Sequence, residues 1–197
     1  MDDKTLLQAI GAYLAHVQTL LECLPREPIA QAVRLLHEAR LARRRIFIMG
    51  NGGSAATASH FVNDLNKLTI VPGQPRFRAM GLTDNVPLLT AWANDSGYEN
   101  AFAEQLVNFV EPGDVVVAIS GSGNSPNVLR AAETAHAAGA AVIGITGFDG
   151  GRLKAASDIC ILTSCHCMAQ VEDVHMVLEH LMASTLREVA AQLPAEA

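Results

Sequence analysis

The sequence is short of basic charge, of cysteine and of any long apolar run, and each shortage closes off a class of function. Lys and Arg number 14 against 20 Asp and Glu, a formal net charge of −6, and the pI is near 5.6. A general nucleic-acid binder needs a basic footprint, so nucleic acid is not expected as a partner. The one basic cluster, Arg40, Arg43, Arg44 and Arg45, reads as a solvated helix end favoured by the helix dipole. The four cysteines, Cys23, Cys160, Cys165 and Cys167, lack the spacing of a secreted disulfide framework. Cys165-His166-Cys167 leaves a single residue between its thiols, and no second Cys/His pair completes a zinc knuckle. No window of about 18 apolar residues runs free of charge, so no membrane span is expected. Met1-Asp2-Asp3-Lys4 lacks the basic start and apolar core of a signal peptide. The expectation is a reduced, cytoplasmic chain.

What the sequence does have is apolar surface. Half of its 197 residues are apolar and the mean hydropathy is +0.22, high for a soluble protein. The surplus points to burial between subunits. The length suits one domain with a sizeable core, and no repeat, low-complexity tract or linker divides it.

Residues 4–24 read as a helix, with Leu6, Ile10, Leu14, Val17 and Leu21 on one apolar face. A second helix is expected over 28–42, so that helices lead the chain over about 4–42. Short apolar runs at 45–49, 79–82, 115–119, 141–145 and 159–162 read as strands. Helices are expected over 54–67, 86–92, 99–109, 126–138 and 168–191, with a short one opening at Gly150-Gly151. Strands alternating with helices give an α/β fold, a three-layer αβα sandwich around a parallel sheet. Ligands of such sheets bind beyond the carboxyl ends of the strands.

Two turns stand at such ends. Gly50-Asn51-Gly52-Gly53-Ser54 follows the run Ile46–Met49, and Ser120-Gly121-Ser122-Gly123-Asn124-Ser125 follows Val115–Ile119. Glycine, then serine, then a helix start offers bare N–H groups and hydroxyls to an anion. The first turn is not a G-x-G-x-x-G dinucleotide fingerprint, and no Gly-Lys-Ser/Thr makes it a Walker A loop. Hydroxyls with helix N-terminal amides can hold a phosphate monoester without a lysine. One such turn alone reads as a capped helix; two in one chain point to a phosphorylated ligand. Downstream, His60 and Asp64 are spaced i, i+4 and share a helix face, which suits a divalent metal or an acid/base pair. Glu172, His175, Glu179 and His180 stand on the last helix. Glu172 and His180 lie eight residues apart, about 12 Å along the axis, so their convergence would be eased by a site shared between subunits.

Together the segments Gly50–Ala56, Ser59-His60-Phe61, Ala93-Asn94-Asp95, Ser120–Ser125, Thr146-Gly147 with Gly150-Gly151, and Glu172-Asp173-Val174-His175 resemble the sugar isomerase (SIS) domain family, and within it the phosphoheptose isomerases. The resemblance runs nearly end to end. It implies a flavodoxin-like fold over residues 1–197 as a single SIS domain. It also implies a phosphate pocket of Ser54, Ser120, Ser122 and Ser125, with Asn51, Gly52, Gly53 and Gly121 in its loops. Asn94 and Asp95 are expected on the sugar hydroxyls. The family has threonine where Gly121 stands, so one hydroxyl is missing here. At the positions of His60, Asp64, Glu172 and His180 the family carries His, Glu, Gln and His, which bind zinc in some members; the Glu and the final His transfer protons. The set here, two carboxylates and two imidazoles, suits Zn²⁺.

The implied reaction converts sedoheptulose 7-phosphate to D-glycero-D-manno-heptose 7-phosphate through an enediol. Asp64 or Glu172 is the expected base and His180 the expected acid. A homotetramer with sites at subunit interfaces is the implied assembly. The alternative is a non-catalytic SIS protein that binds a phosphosugar or a replication-initiator partner. Such relatives lack the acidic residue matching Asp64 and the histidine matching His180, and both are present in this chain. A sugar-sensing regulator would need a DNA-binding domain for which the chain has no room.

Overall fold

The computed structural model describes residues 2–194. Two helices lead, α1 (Asp3–Glu22) and α2 (Arg26–Leu41). Then come β1 (Arg45–Met49), α3 (Gly53–Asn63), β2 (Arg78–Gly81), α4 (Val86–Ser96) and α5 (Ala103–Val107). The chain continues through β3 (Val115–Ser120), α6 (Pro126–Ala137), β4 (Ala141–Gly147), α7 (Gly151–Ala155), β5 (Ile159–Thr163) and α8 (Met168–Ala191). All four strand pairings are parallel, in the order β2-β1-β3-β4-β5. This is the flavodoxin-like order, whose topological switch point lies between β1 and β3.

The period-two pattern of the strands builds the three layers. Ile46, Ile48, Val115, Val117 and Ile119 pack with Leu36 of α2, Phe61 of α3 and Val174 and Leu178 of α8. The intervening Phe47, Met49, Val116 and Ala118 face the other way, onto Leu106 of α5, Ala131 and Ala132 of α6 and Leu153 of α7. Among the described residues no helix is long and apolar enough to cross a membrane.

Three features depart from expectation. The helix expected over 99–109 is reduced to a 3₁₀ turn at Tyr98–Asn100 and the short α5. The helix expected over 54–67 changes character at Asp64, where residues Asp64–Leu68 form a π-helical turn. The Thr69 N–H reaches back five residues to the Asp64 carbonyl at 3.2 Å. π-turns of this kind recur at functional sites. On α1, the predicted apolar face is not covered: Leu6, Ile10 and Leu14 are 43, 54 and 63 % exposed. The helix is held to α8 by Tyr13, whose hydroxyl donates to Asp173 at 2.5 Å, and by His16, 2.7 Å from Gln170.

Candidate active site

Each serine turn is placed by the strand before it. β1 from Ile46 and all of β3 are buried, and both strands end at the carboxyl edge of the sheet, side by side at its switch point. Gly52 caps α3 with φ +55°. Gly123 has φ +64°, and a Cβ there would fall 2.0 Å from the Gly150 carbonyl oxygen. Conformation demands glycine at the first position, and both conformation and space demand it at the second.

The two turns face one cavity of about 270 Å³, lined by Asn51, Gly52, Gly53, Ser54, Ser120, Gly121, Ser122 and Ser125, with Ile119, Met168 and Glu172. The Ser120 and Ser125 hydroxyls lie 3.1 Å apart, and Ser122 accepts from the Asn124 N–H at 3.2 Å. The Asn51 side chain is engaged elsewhere: it exchanges amide bonds of 2.9 Å with Asn127 and accepts from the Tyr98 hydroxyl at 2.7 Å. These bonds tie the loop after β1 to Asn127 of α6 and to Tyr98. Met168 fills the space beside Gly121, where a Cβ would fall 2.4 Å from its Sδ. Glu172 lies against the first residue of α3, its carboxyl atoms 2.4 Å from where a Gly53 Cβ would stand. A carboxylate at a helix N-terminus is favoured by the dipole.

A second group of side chains gathers further along the same two helices. His60 and His180 face each other with 3.1 Å between their Nε2 atoms. Asp64 Oδ2 is 3.8 Å from each of these nitrogens. Glu179 Oε1 is 3.7 Å from His60 Nε2 and 3.3 Å from His180 Nε2. One donor atom from each of His60, Asp64, Glu179 and His180 falls within 4.8 Å of all the others. Tetrahedral zinc at ~2.0–2.1 Å from its ligands places donor atoms roughly 3.3 Å apart, so this set fits a cation. Asp64 and Glu179 are buried, whereas the two histidines are exposed, so the cluster opens to solvent on the imidazole side. Burial, helped by the charge of Asp64, pushes the Glu179 carboxyl up to about 8. Between the two groups on α8 stands His175, fully buried, with neither ring nitrogen hydrogen-bonded. Burial pushes it down to about 4, and the nearby Thr146 backbone opposes this in part.

The expected site residues therefore divide. His60, Asp64 and His180 come together, but Glu172 does not join them. Eight residues of helix separate it from His180, and it lies instead in the cavity of the serine turns. Asn94 and Asp95 are exposed in the last turn of α4, with Asn94 donating to Asp95 at 2.8 Å, and neither lines the cavity. Among the described residues no Cys/His cluster forms at Cys165–Cys167; the cysteines are free thiols. Asn127, Met168 and the placement of Glu179 escaped the sequence reading. An asparagine or methionine at a helix start carries no signal of its own. Glu179 stood in plain view on α8, one residue from His180.

Comparison with known proteins agrees with this fold. The family description "SIS domain" matches residues 12–147. A phosphoheptose isomerase of Trichlorobacter lovleyi is 37 % identical over 163 residues, 82 % of each chain. The structure of the phosphoheptose isomerase of Neisseria gonorrhoeae superposes with a TM-score of 0.85 at 32 % identity, covering 93 % of this chain and 99 % of that one. A phosphoheptose isomerase from Francisella tularensis gives 0.87 at 26 % identity, over 95 % of this chain and 100 % of its own.

Proposed function

We propose, for a chain that belongs to the SIS domain family and stands among its phosphoheptose isomerases, an isomerase that interconverts sedoheptulose 7-phosphate and D-glycero-D-manno-heptose 7-phosphate. The observation that carries this reading is the pairing of two unlike sites on one helix. Ser54 opens α3 in the anion cavity, and His60 stands six residues on in the reactive cluster, about 9 Å along the axis. An open-chain ketose phosphate has the same polarity, with phosphate at one end and carbonyl at the other.

In this reading Ser54, Ser120, Ser122 and Ser125 hold the phosphate, with the first N–H groups of α3. Phosphate binding supplies energy remote from the reacting carbons. Asp64 removes the proton alpha to the carbonyl and returns it to the neighbouring carbon. His180 moves the proton between the two oxygens, general acid–base work that histidine performs more often than any other side chain. Glu172 lies with the phosphate, which favours Asp64 as the base. Zn²⁺ held by His60, Asp64 and His180 would polarise the carbonyl and stabilise the enediolate. The fit of the donor set, and the orphaned oxygens of Glu179 beside it, support that cation. We place the whole chain in one SIS domain. We also propose a homotetramer, because Leu7, Ile10 and Leu14 of α1 are left exposed along one helix. Free thiols suit a reducing, cytoplasmic setting.

Incubation with sedoheptulose 7-phosphate, with and without Zn²⁺, tests the reaction by NMR. Appearance of the heptose 7-phosphate is expected. No turnover in either condition would refute the isomerase.

A further inference from the structure

Glu179 is an anomalous side chain. It is fully buried, and both of its carboxyl oxygens lack a hydrogen-bond partner. A buried ionised carboxylate is costly unless paired, and a neutral one still needs partners for its polar atoms. Its surroundings do not supply them as they stand. The nearest polar atoms are the two imidazole nitrogens at 3.3 and 3.7 Å and the carboxylate of Asp64, a group of its own charge. The histidines have a matching problem. Their Nε2 atoms face each other at 3.1 Å, so one proton at most can serve both, and both also face carboxylate oxygens. A divalent cation among the four resolves every conflict at once. It neutralises two carboxylates, accepts two imidazole lone pairs and gives the orphaned oxygens of Glu179 a partner.

Within one chain, helix geometry favours Glu179 over Glu172. Glu179 and His180 are adjacent, so they leave α8 in different directions. Glu179 approaches from the buried side and His180 from the exposed side, and they meet His60 and Asp64 of the facing segment between them. Glu172 is two turns away, in the cavity with the serines.

We infer that Glu179, and not Glu172, is the second carboxylate ligand of the cation, alongside His60, Asp64 and His180 of the same subunit. This rests on the zinc reading above. It leaves Glu172 of the same chain to the anion cavity.

The test compares the whole protein with E179Q and E172Q. Each is stripped with chelator, reloaded with Zn²⁺ and dialysed. Metal content is read by mass spectrometry, and affinity by competition with a chromogenic chelator. Wild type and E172Q are expected to retain Zn²⁺ with closely similar affinity, and E179Q to lose at least about 10–100-fold, as disrupted metal shells do. The melting temperature of each metal-free protein is measured alongside. Metal-free E179Q should be as stable as wild type or more so, since a buried carboxyl becomes an amide of the same shape. Loss of metal by E172Q with retention by E179Q would overturn the inference. So would a metal-free E179Q that is much less stable, or that does not fold, because Glu179 would then serve the fold. If wild type itself takes up no Zn²⁺, the cation reading fails and this inference with it, whereas turnover without metal would leave the isomerase standing.

Discussion

The two ends of the α3–α8 pair are built by opposite means. At the Gly53–Glu172 end the chain presents backbone amides and short hydroxyl side chains on glycine turns. At the other, two imidazoles and two carboxylates project from helix faces. The first end must stay still, because its donors are fixed to the main chain and conformation alone aims them. On the proposed reading the second is the reacting end, and it is built from longer side chains that converge from two helices. A buried histidine, His175, lies between them on α8. On the proposed reading, affinity and reactivity are separable along a single helix pair, and four perturbations probe the separation.

The largest effect belongs to the reactive end. D64N and H180A should each lower kcat by about 100-fold or more while phosphate affinity holds, as measured by NMR turnover and by inorganic phosphate titration. Full activity in either variant would remove that residue from the chemistry.

Next is the buried seam. The folded-state pKa of His175 lies near 4, below its ordinary value of 6.5. The unfolded chain therefore binds the extra proton first as the pH falls. The stabilisation is complete above about pH 6.5 and drains away towards pH 4, a loss of about 3 kcal/mol by linkage. Urea melts of H175L should show a flatter decline over that window than wild type. Parallel declines would mean that other groups govern the acid limb.

The binding end should respond in KM. S120A or S122A removes a hydroxyl from a charged ligand, a loss of ~1.5–3 kcal/mol, with kcat affected less. A fall in kcat at constant KM would show that the two ends are not separable.

The smallest expected effect concerns Gly121. G121T alone should weaken binding or stability by about 1–3 kcal/mol through overpacking, since its Cβ would meet the Met168 sulfur. G121T with M168A should recover the loss and add a hydroxyl to the cavity. Additive losses in the double variant would show that Met168 does not occupy the space of the missing threonine.

Much of this was legible in advance. β1 has the expected bounds, because an apolar run ended by glycine leaves few alternatives. The serine turns meet in one cavity because their strands are neighbours at the switch point; alternation of strands and helices implied only that both turns stand at the carboxyl edge. Sequence spacing failed where it could not see packing. The stripe Leu6-Ile10-Leu14 has the right period for a buried face, but period says nothing of what lies opposite, and in the chain it faces solvent. Position alone singles out Glu172, whereas only the docking of α8 against α3 tells which carboxylate reaches the histidines. Asn94 and Asp95 carried no local signal that their helix would hold them outside the cavity.

The wide turn after Asp64 has a consequence for how this segment tolerates change. A regular α-helix is a screw of constant thread, and residues on it keep one phase. His60 and Asp64 meet α8 in ordinary α-helical phase; the thread then widens over Asp64–Leu68, where Leu65 turns into the core. Removing one residue from the wide turn would restore the constant thread and force a choice of phase, either the reactive pair or the apolar contact. Length at this point is thus as much constrained as identity, and a gap here would be more damaging than most substitutions.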